Sequence, residues 1–236
     1  MTQLIPILRP HVLRVLDAYS CIGGAARGYQ WAGCHVTGVD IRPQPDYCGD
    51  DFHQGDAIEF ILAHGAEFDF IHTSPPCQGE GAPTKGTNAA RNALTGRSHP
   101  RLIAATRNAL DAVGRPYVIE NVAGSEVRKD LRLCGEQFGL GVLMHRYFEL
   151  GGWTTAQPAH PAHRGRVRGW RHGQYFDGPY VAAYGKGGGK ATTEEIRQAK
   201  RIDWSTDHFN LREALPPAYT HWIASQFLAL ERTVAA

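Results

Sequence analysis

The sequence has no CxxC pair, no apolar run of membrane-spanning length, and no internal repeat or low-complexity segment. Each absence removes a class of protein. The cysteines, at positions 21, 34, 48, 77 and 134, form an odd and scattered set, which indicates neither a disulfide framework nor a zinc finger. His160 and His163 are spaced to share a metal, but no companion ligand accompanies them in the sequence, so no metal site is expected. The first 14 residues lack the charged-then-apolar layout of a signal segment, which makes a cytoplasmic location the default expectation. A net charge of +2 favours no partner by itself. The glycine run from Tyr184 to Lys190 is followed by Ala191, not the Ser or Thr of a phosphate-binding P-loop.

What remains is the composition of an ordinary globular chain, 236 residues long, 42% hydrophobic and 20% charged, with 27 glycines. It is long enough to bury a core without staples. Residues Val12 to Tyr19 read as a buried strand ending in Asp17-Ala18-Tyr19-Ser20-Cys21-Ile22-Gly23-Gly24, followed by a helical run from Ala25 to Trp31 that Gly33 ends. A strand, a glycine turn and a helix form a nucleotide-type βα unit, whose free helix N–H groups and bare backbone accept a ligand. The turn lacks the dinucleotide spacing GxGxxG, which disfavours a dehydrogenase. The next strand, His35 to Val39, ends at Asp40, an acid about twenty residues past the turn and placed to bond ribose hydroxyls. Asp56, in Gly55-Asp56-Ala57, closes a third turn of this kind and reads equally as a helix N-cap.

The apolar run Phe68 to Ile71 reads as a short buried strand that the Pro75-Pro76 pair stops just before Cys77. Gly79 to Arg97 then has the composition of a mobile loop. Alone, Cys77 reads either as a nucleophile on a stiff turn or as a structural cysteine. Leu102, Ile103, Thr106, Leu110 and Val113 stand at helical spacing up to Gly114, and the strand Pro116 to Ile119 leads into Glu120-Asn121-Val122. In an open α/β sheet, Cys77 and Glu120 would face one pocket from neighbouring strand ends. A further strand is expected over Met144 to Leu150, and Thr192 or Thr193 is expected to cap a helix. Between positions 159 and 172, Arg164, Arg166, Arg168 and Arg171 are interleaved with Trp170 and histidines, a pattern that suits phosphate and base contact or a solvated basic loop. Pro216-Pro217 precedes an amphipathic helix from Ala218 to about Arg232.

These pieces, in this order, resemble the cytosine-C5 DNA methyltransferase family over most of the chain. Asp17 to Gly24 looks like its first motif, Pro76-Cys77-Gln78 like its nucleophile motif, Glu120-Asn121-Val122 like the motif of its catalytic acid, and Arg146 like the last arginine of its arginine motif. The run Leu133-Cys134-Gly135, Phe138-Gly139-Leu140 and His145-Arg146, with Pro216 to Trp222, looks like the small stand-alone members carried by bacteriophages. The resemblance implies an α/β fold with a doubly wound, mostly parallel sheet: a catalytic domain over 1–150, a short basic target-recognition segment over 151–210, and a C-terminal helix over 211–236 that returns to it. It implies S-adenosyl-L-methionine as cofactor, held by Asp17, Tyr19, Ser20, Cys21, Gly23 and Gly24, by Asp40 and Ile41, by Asp56 and Ala57, by Pro75, and by Tyr219 and Thr220. It implies cytosine-containing DNA as partner, met by Ser74, Pro76, Gln78, Lys85 and Asn121 and by Arg164, Arg166, Arg168 and Arg171. No membrane and no obligate protein partner is indicated, and a phage-encoded member would work in the host cytoplasm.

The chain departs from the pattern at Cys21, where a glycine is usual, at Tyr219, where an asparagine is usual, and at Val142 and Met144, where the arginine motif has glutamine and arginine. The implied chemistry is nonetheless complete. Cytosine C5 is too weak a nucleophile to take a methyl group directly; addition of the Cys77 thiolate at C6 makes C5 enamine-like. Glu120 at N3 lowers the cost of that addition, and Arg146, permanently charged, orients base and carboxylate. A target in duplex DNA would have to leave the base stack. Three other readings stay open: an exocyclic-amine methyltransferase, which would need an aromatic residue where Cys77 stands; C5 methylation of a free cytosine nucleotide, suggested by the short 151–210 segment; and a methyltransferase-like protein that binds DNA without turnover.

Overall fold

The computed structural model describes residues 12–76, 102–171, 173–183 and 191–234. The elements that build the sheet come first in the chain. They are β1 (Arg14–Ala18), α1 (Gly24–Trp31), β2 (His35–Asp40), β3 (Asp51–Gln54), α2 (Ala57–His64), β4 (Phe70–Thr73), α3 (Ile103–Val113), β5 (Tyr117–Asn121), β6 (Leu131–Leu133) and β7 (Arg146–Gly151). A two-stranded ribbon of β8 (Gly169–Arg171) and β9 (Gln174–Phe176) follows, then α4 (Thr193–Lys200), α5 (His208–Glu213) and α6 (Pro217–Val234).

The main sheet has seven strands in the order β3-β2-β1-β4-β5-β7-β6. The pairs among β1 to β5 are parallel, while β7 runs antiparallel between β5 and β6. The chain moves outward from β1 to β3 and then returns to place β4 on the other side of β1. That reversal makes β1 and β4 the switch point, where the connections leave on opposite faces and a crevice opens at the strands' carboxyl ends.

Central parallel strands are covered on both faces, so they carry apolar runs instead of alternation. Neighbouring residues therefore enter different cores: Val15, Phe70 and Val118 face one cluster with Tyr29 of α1 and Phe227 of α6, while Leu16, Ile71 and Ile119 face the other with Ile61 of α2 and Leu110 of α3. The expected strand from Phe68 begins two residues later, because a short 3-10 turn over Gly65–Glu67 uses Phe68 N–H to close on Gly65 O. The strand expected to end at Ile119 extends to Asn121, so Glu120 lies within β5 and pairs with Phe148 of β7.

Close approach dictates glycine at two positions of α1. A Cβ on Gly24 would stand 2.2 Å from the Leu215 carbonyl oxygen, and one on Gly28 would stand 2.0 Å from Thr220 Oγ1. The segment leading into α6 thus lies directly against the first turn of α1. Lys200, the last residue of α4, is fully buried, and its ammonium donates to the carbonyls of Leu211 (2.7 Å), Arg212 (3.0 Å) and Ala214 (2.8 Å). It satisfies the end of α5, whose carbonyls have no helical partner, and fixes the strand-like turn that follows. No described helix is long and apolar enough to cross a membrane.

Candidate active site

A cleft of about 810 Å3 opens at the carboxyl ends of β1, β2, β4 and β5. Three acids form one side. Asp17, next to last in β1, is fully buried and accepts Ala26 N–H of α1 at 3.2 Å. Burial holds its carboxyl well above the usual range; the Ala26 N–H opposes this and the Asp40 charge adds to it. Asp40 ends β2 and accepts Cys21 N–H and Arg42 N–H, each at 3.0 Å, which splints the glycine turn to the neighbouring strand. Asp56 caps α2, its Oδ1 taking Ile58 N–H at 2.8 Å and Glu59 N–H at 3.0 Å. It is therefore an N-cap that also lines the cleft with its neighbour Ala57.

The turn itself is tight. Tyr19 and Cys21 adopt positive φ of 61° and 49°, and Gly23 a φ of 82° as the N-cap of α1. Tyr19 Oη meets Thr106 Oγ1 of α3 at 2.8 Å, anchoring the turn from the side. Ser20, Ile41 and Gly24 complete this wall. Gly23 lies outside the wall: its bare α-carbon faces Cys48 Sγ and the Tyr47 ring.

The opposite side is built by β4, β5 and β7. Ser74, Pro75 and Pro76 continue β4 into the cleft, Glu120 and Asn121 reach it from β5, and Arg146 from the start of β7. Ser74 Oγ meets His72 Nε2 at 3.1 Å, and His72 Nδ1 meets Tyr29 Oη at 3.0 Å. Burial alone lowers His72 to about 3, so a neutral ring spans from the core to the cleft. Asn121 Nδ2 donates to Pro75 O at 2.9 Å. Arg146 Nε lies 2.8 Å from Glu120 Oε1, yet that oxygen accepts no well-aligned hydrogen bond among the described residues; the two form an ion pair by proximity. Burial raises Glu120 above the usual carboxylate range, against the lowering effects of Arg146, the Ser74 hydroxyl and Lys200.

Cys77, Gln78 and Lys85 lie outside the described residues. Three of the described cysteines, of which only Cys21 lines the cleft, are poor nucleophiles. Burial pushes Cys21 and Cys34 up to about 11 and Cys48 up to about 12, so all three are thiols at neutral pH.

Several expected contacts sit elsewhere. Tyr219 and Thr220 are fully buried and do not line the cleft. Tyr219 Oη donates to Met144 O at 2.8 Å, and Thr220 Oγ1 to Ala25 O at 2.8 Å, so both brace the site from behind. The cleft wall they were expected to form is built one element earlier, by Phe209, Arg212, Glu213, Ala214 and Leu215. Only the Pro216-Pro217 break pointed to that segment, because α5 is too short to show a period. Arg164 pairs with Glu136 at 2.9 Å and Arg168 with Glu195 at 2.6 Å, while Arg166 covers the Phe176 ring at 4.9 Å. Three of the four arginines expected on phosphates thus have partners within the chain; the fourth, Arg171, belongs to β8, and its side chain is not described. The expectation that His160 and His163 lack companion ligands is corrected. Cys134 and His145 converge on them, with all four ligand atoms within 4.8 Å of one another. These come from three separate stretches of chain, two joined by the β6–β7 pairing and the third held to them by side-chain hydrogen bonds, so sequence spacing hid them.

No protein-family model matches the chain, and no curated protein sequence matches it. Its shape is more informative. A methyltransferase of Entamoeba histolytica, EhMeth, superposes with a TM-score of 0.57 at 13% identity, covering 93% of this chain and 99% of that one. The fold is that of the class I SAM-dependent methyltransferases. Weaker likenesses include a SAM-dependent methyltransferase of Agrobacterium tumefaciens (TM-score 0.33, 18% identity, 48% of this chain and 39% of that one) and a DNMT2 variant of Spodoptera frugiperda (0.44, 18%, 63% and 54%). The chain spans between about two fifths and just over half of the length of these last two.

Proposed function

We propose that the protein transfers a methyl group from S-adenosyl-L-methionine to C5 of cytosine in DNA, through a covalent bond between Cys77 and C6 of the base. The observation that carries this reading is the Glu120–Arg146 ion pair at the switch-point cleft, where Glu120 lies on β5, the strand paired with the one that runs into Pro75-Pro76.

The cleft suits the cofactor. Ser20 Oγ is buried in its wall with no hydrogen-bond partner among the described residues, an unclaimed donor and acceptor where a polar ligand would lie. Asp40 and Asp56 hold their carboxylates on backbone N–H groups, which leaves acceptor capacity for the ribose hydroxyls and the adenine amine respectively. The bound cofactor supplies an electrophilic methyl group. The chain's residues do the rest. Pro75, held by Asn121, and Pro76 stand directly before Cys77 in the sequence, and Cys77 supplies the thiolate. Glu120, raised by burial, donates a hydrogen bond to N3 as the thiolate adds to C6. Arg146 holds the base carbonyl and balances the carboxylate when it ionises. Loss of the C5 proton and elimination then release Cys77.

Labelled cofactor tests the reading. The chain is incubated separately with duplex DNA, single-stranded DNA and dCMP, alongside Cys77→Ser. Label at C5 of DNA cytosine that vanishes in Cys77→Ser is the expected result. Label in adenine or at cytosine N4 would refute C5 chemistry, and label in dCMP alone would refute DNA as substrate. The ion-paired state of Arg164 and Arg168 is the observation that favours testing the nucleotide, since fewer free cations face a phosphate backbone.

A further inference from the structure

We propose that Cys134, His145, His160 and His163 bind one zinc ion, outside the cleft lining, as a clasp that fastens residues 154–168 to the β6–β7 edge of the sheet.

Two ligand–ligand distances match those of a tetrahedral site. Cys134 Sγ stands 3.6 Å from His163 Nε2, and His145 Nε2 stands 3.2 Å from His160 Nε2. With Zn–S of about 2.3 Å and Zn–N of about 2.0–2.1 Å, tetrahedral angles place sulfur and nitrogen about 3.6 Å apart and two nitrogens about 3.3 Å apart. The rings agree. The centroids of His145, His160 and His163 are separated by 5.4, 5.2 and 5.0 Å, a nearly equilateral triangle. Three imidazoles sharing one tetrahedral ion would be spaced about 5.2 Å. Two ordinary hydrogen bonds would draw the groups into two separate couples; here all four ligand atoms occupy one region no wider than 4.8 Å.

The surroundings are built to hold that arrangement. Cys134 follows β6 and His145 precedes β7, and the pairing of Leu133 with Arg146 brings the two together. His160 and His163 lie in a stretch without regular structure, which is pinned by side chains. The Gln137 amide oxygen accepts Cys134 N–H at 2.7 Å while its nitrogen donates to Ala159 O at 3.0 Å, so one residue ties both ligand-bearing segments. Gln157 joins the same segments by accepting Arg132 N–H and donating to Arg132 O, each at 2.8 Å. One thiolate and three imidazoles suit zinc, and four protein ligands leave no open position, which is the composition of a structural site. The site also has a consequence for the cleft: Arg146 follows His145 directly and donates from Nη1 to His145 O at 3.0 Å, so the ion fixes the start of β7, where the base-binding arginine stands.

Untagged protein purified without chelator is expected to carry one zinc per chain by elemental analysis. Stripped protein titrated with Co2+ alone should develop the strong visible bands of tetrahedral cobalt and a near-ultraviolet thiolate-to-cobalt band, saturating at one equivalent. Cys134→Ser, its fold checked by circular dichroism, should lose the near-ultraviolet band, whereas His221→Ala, which lies on α6, should keep both. Zinc below about a tenth of an equivalent together with no tetrahedral cobalt spectrum would overturn the proposal, as would a near-ultraviolet band that survives in Cys134→Ser.

Discussion

The Asn121 amide donates across 2.9 Å to the Pro75 carbonyl, so the end of β5 fixes the turn that continues β4. The Asn121 side-chain oxygen meanwhile accepts Val122 N–H at 2.9 Å. Both ends of this buried amide make bonds inside the chain, which makes Asn121 a positioning residue for the Pro-Pro turn at the cleft lining. Because β4 and β5 are in register, with Thr73 opposite Ile119, Ser74 and Glu120 emerge side by side into the cleft.

Asn121→Ala should therefore cost about 1–3 kcal/mol in chemical unfolding, the penalty for orphaning a buried carbonyl. In steady-state kinetics kcat should fall by about tenfold or more, through misplacement of the nucleophile, while the affinity for S-adenosyl-L-methionine stays within about threefold.

Glu120→Gln should lose about 10²–10⁴-fold in methyl transfer, since the amide cannot exchange a proton with N3. Its stability should move the other way. Burial raises the folded pKa of Glu120, so folding favours the protonated acid: that contribution is present below the ordinary value of 4.5 and is lost as pH rises through the raised folded value. Thermal melts should find the variant more stable than wild type at about pH 8, with the gap closing as pH falls toward 4.5.

Lys200→Met should destabilise the chain by about 2–4 kcal/mol, because two buried carbonyls and one partly buried carbonyl lose this donor. Burial lowers Lys200 from 10.5 to about 7, so between those values the unfolded chain holds the extra proton and wild-type stability rises with pH. Urea titrations of wild type should show that rise, and the variant should lack it. Its cleft wall at Ala214 and Leu215 should also loosen, weakening cofactor binding.

Gly28→Ala places a methyl group 2.0 Å from Thr220 Oγ1 and 2.1 Å from Pro217 O. α6 must then move off α1, and a loss of about 3 kcal/mol or more in denaturant unfolding is expected. Gly33→Ala meets no atom within 4 Å and carries only the strain of its φ of 87°, so it should cost less.

Much of the sheet was legible because its signals are local. The strand-turn-helix of β1 and α1, the helix ending at Gly114 (φ 70°), and the capping box of Thr192 with Glu195 all depend on residues within a few positions of one another. The acids at strand ends were found for the same reason. What stayed hidden depends on residues far apart. α5 offers one turn and a half, too little for a period, yet it walls the cleft. Lys200 reads as a surface lysine at the end of an amphipathic helix, and only the returning segment 211–214 makes it a buried donor. Tyr219 and Thr220 are close in sequence to the wall but one helical turn past it. The four proposed zinc ligands span positions 134 to 163 and meet through the β6–β7 pairing and the Gln137 and Gln157 hydrogen bonds.

The central claim is that Cys77 bonds to C6 of cytosine while Glu120 engages N3. A duplex carrying 5-fluorocytosine, incubated with the protein and S-adenosyl-L-methionine, blocks the final elimination because fluorine cannot leave as a proton does. The account predicts a denaturation-resistant protein–DNA complex whose adduct maps by mass spectrometry to the peptide containing Cys77, and none with Cys77→Ser. Methyl transfer to ordinary cytosine C5 with no adduct on the fluorinated duplex, or an adduct on a different residue, would contradict it.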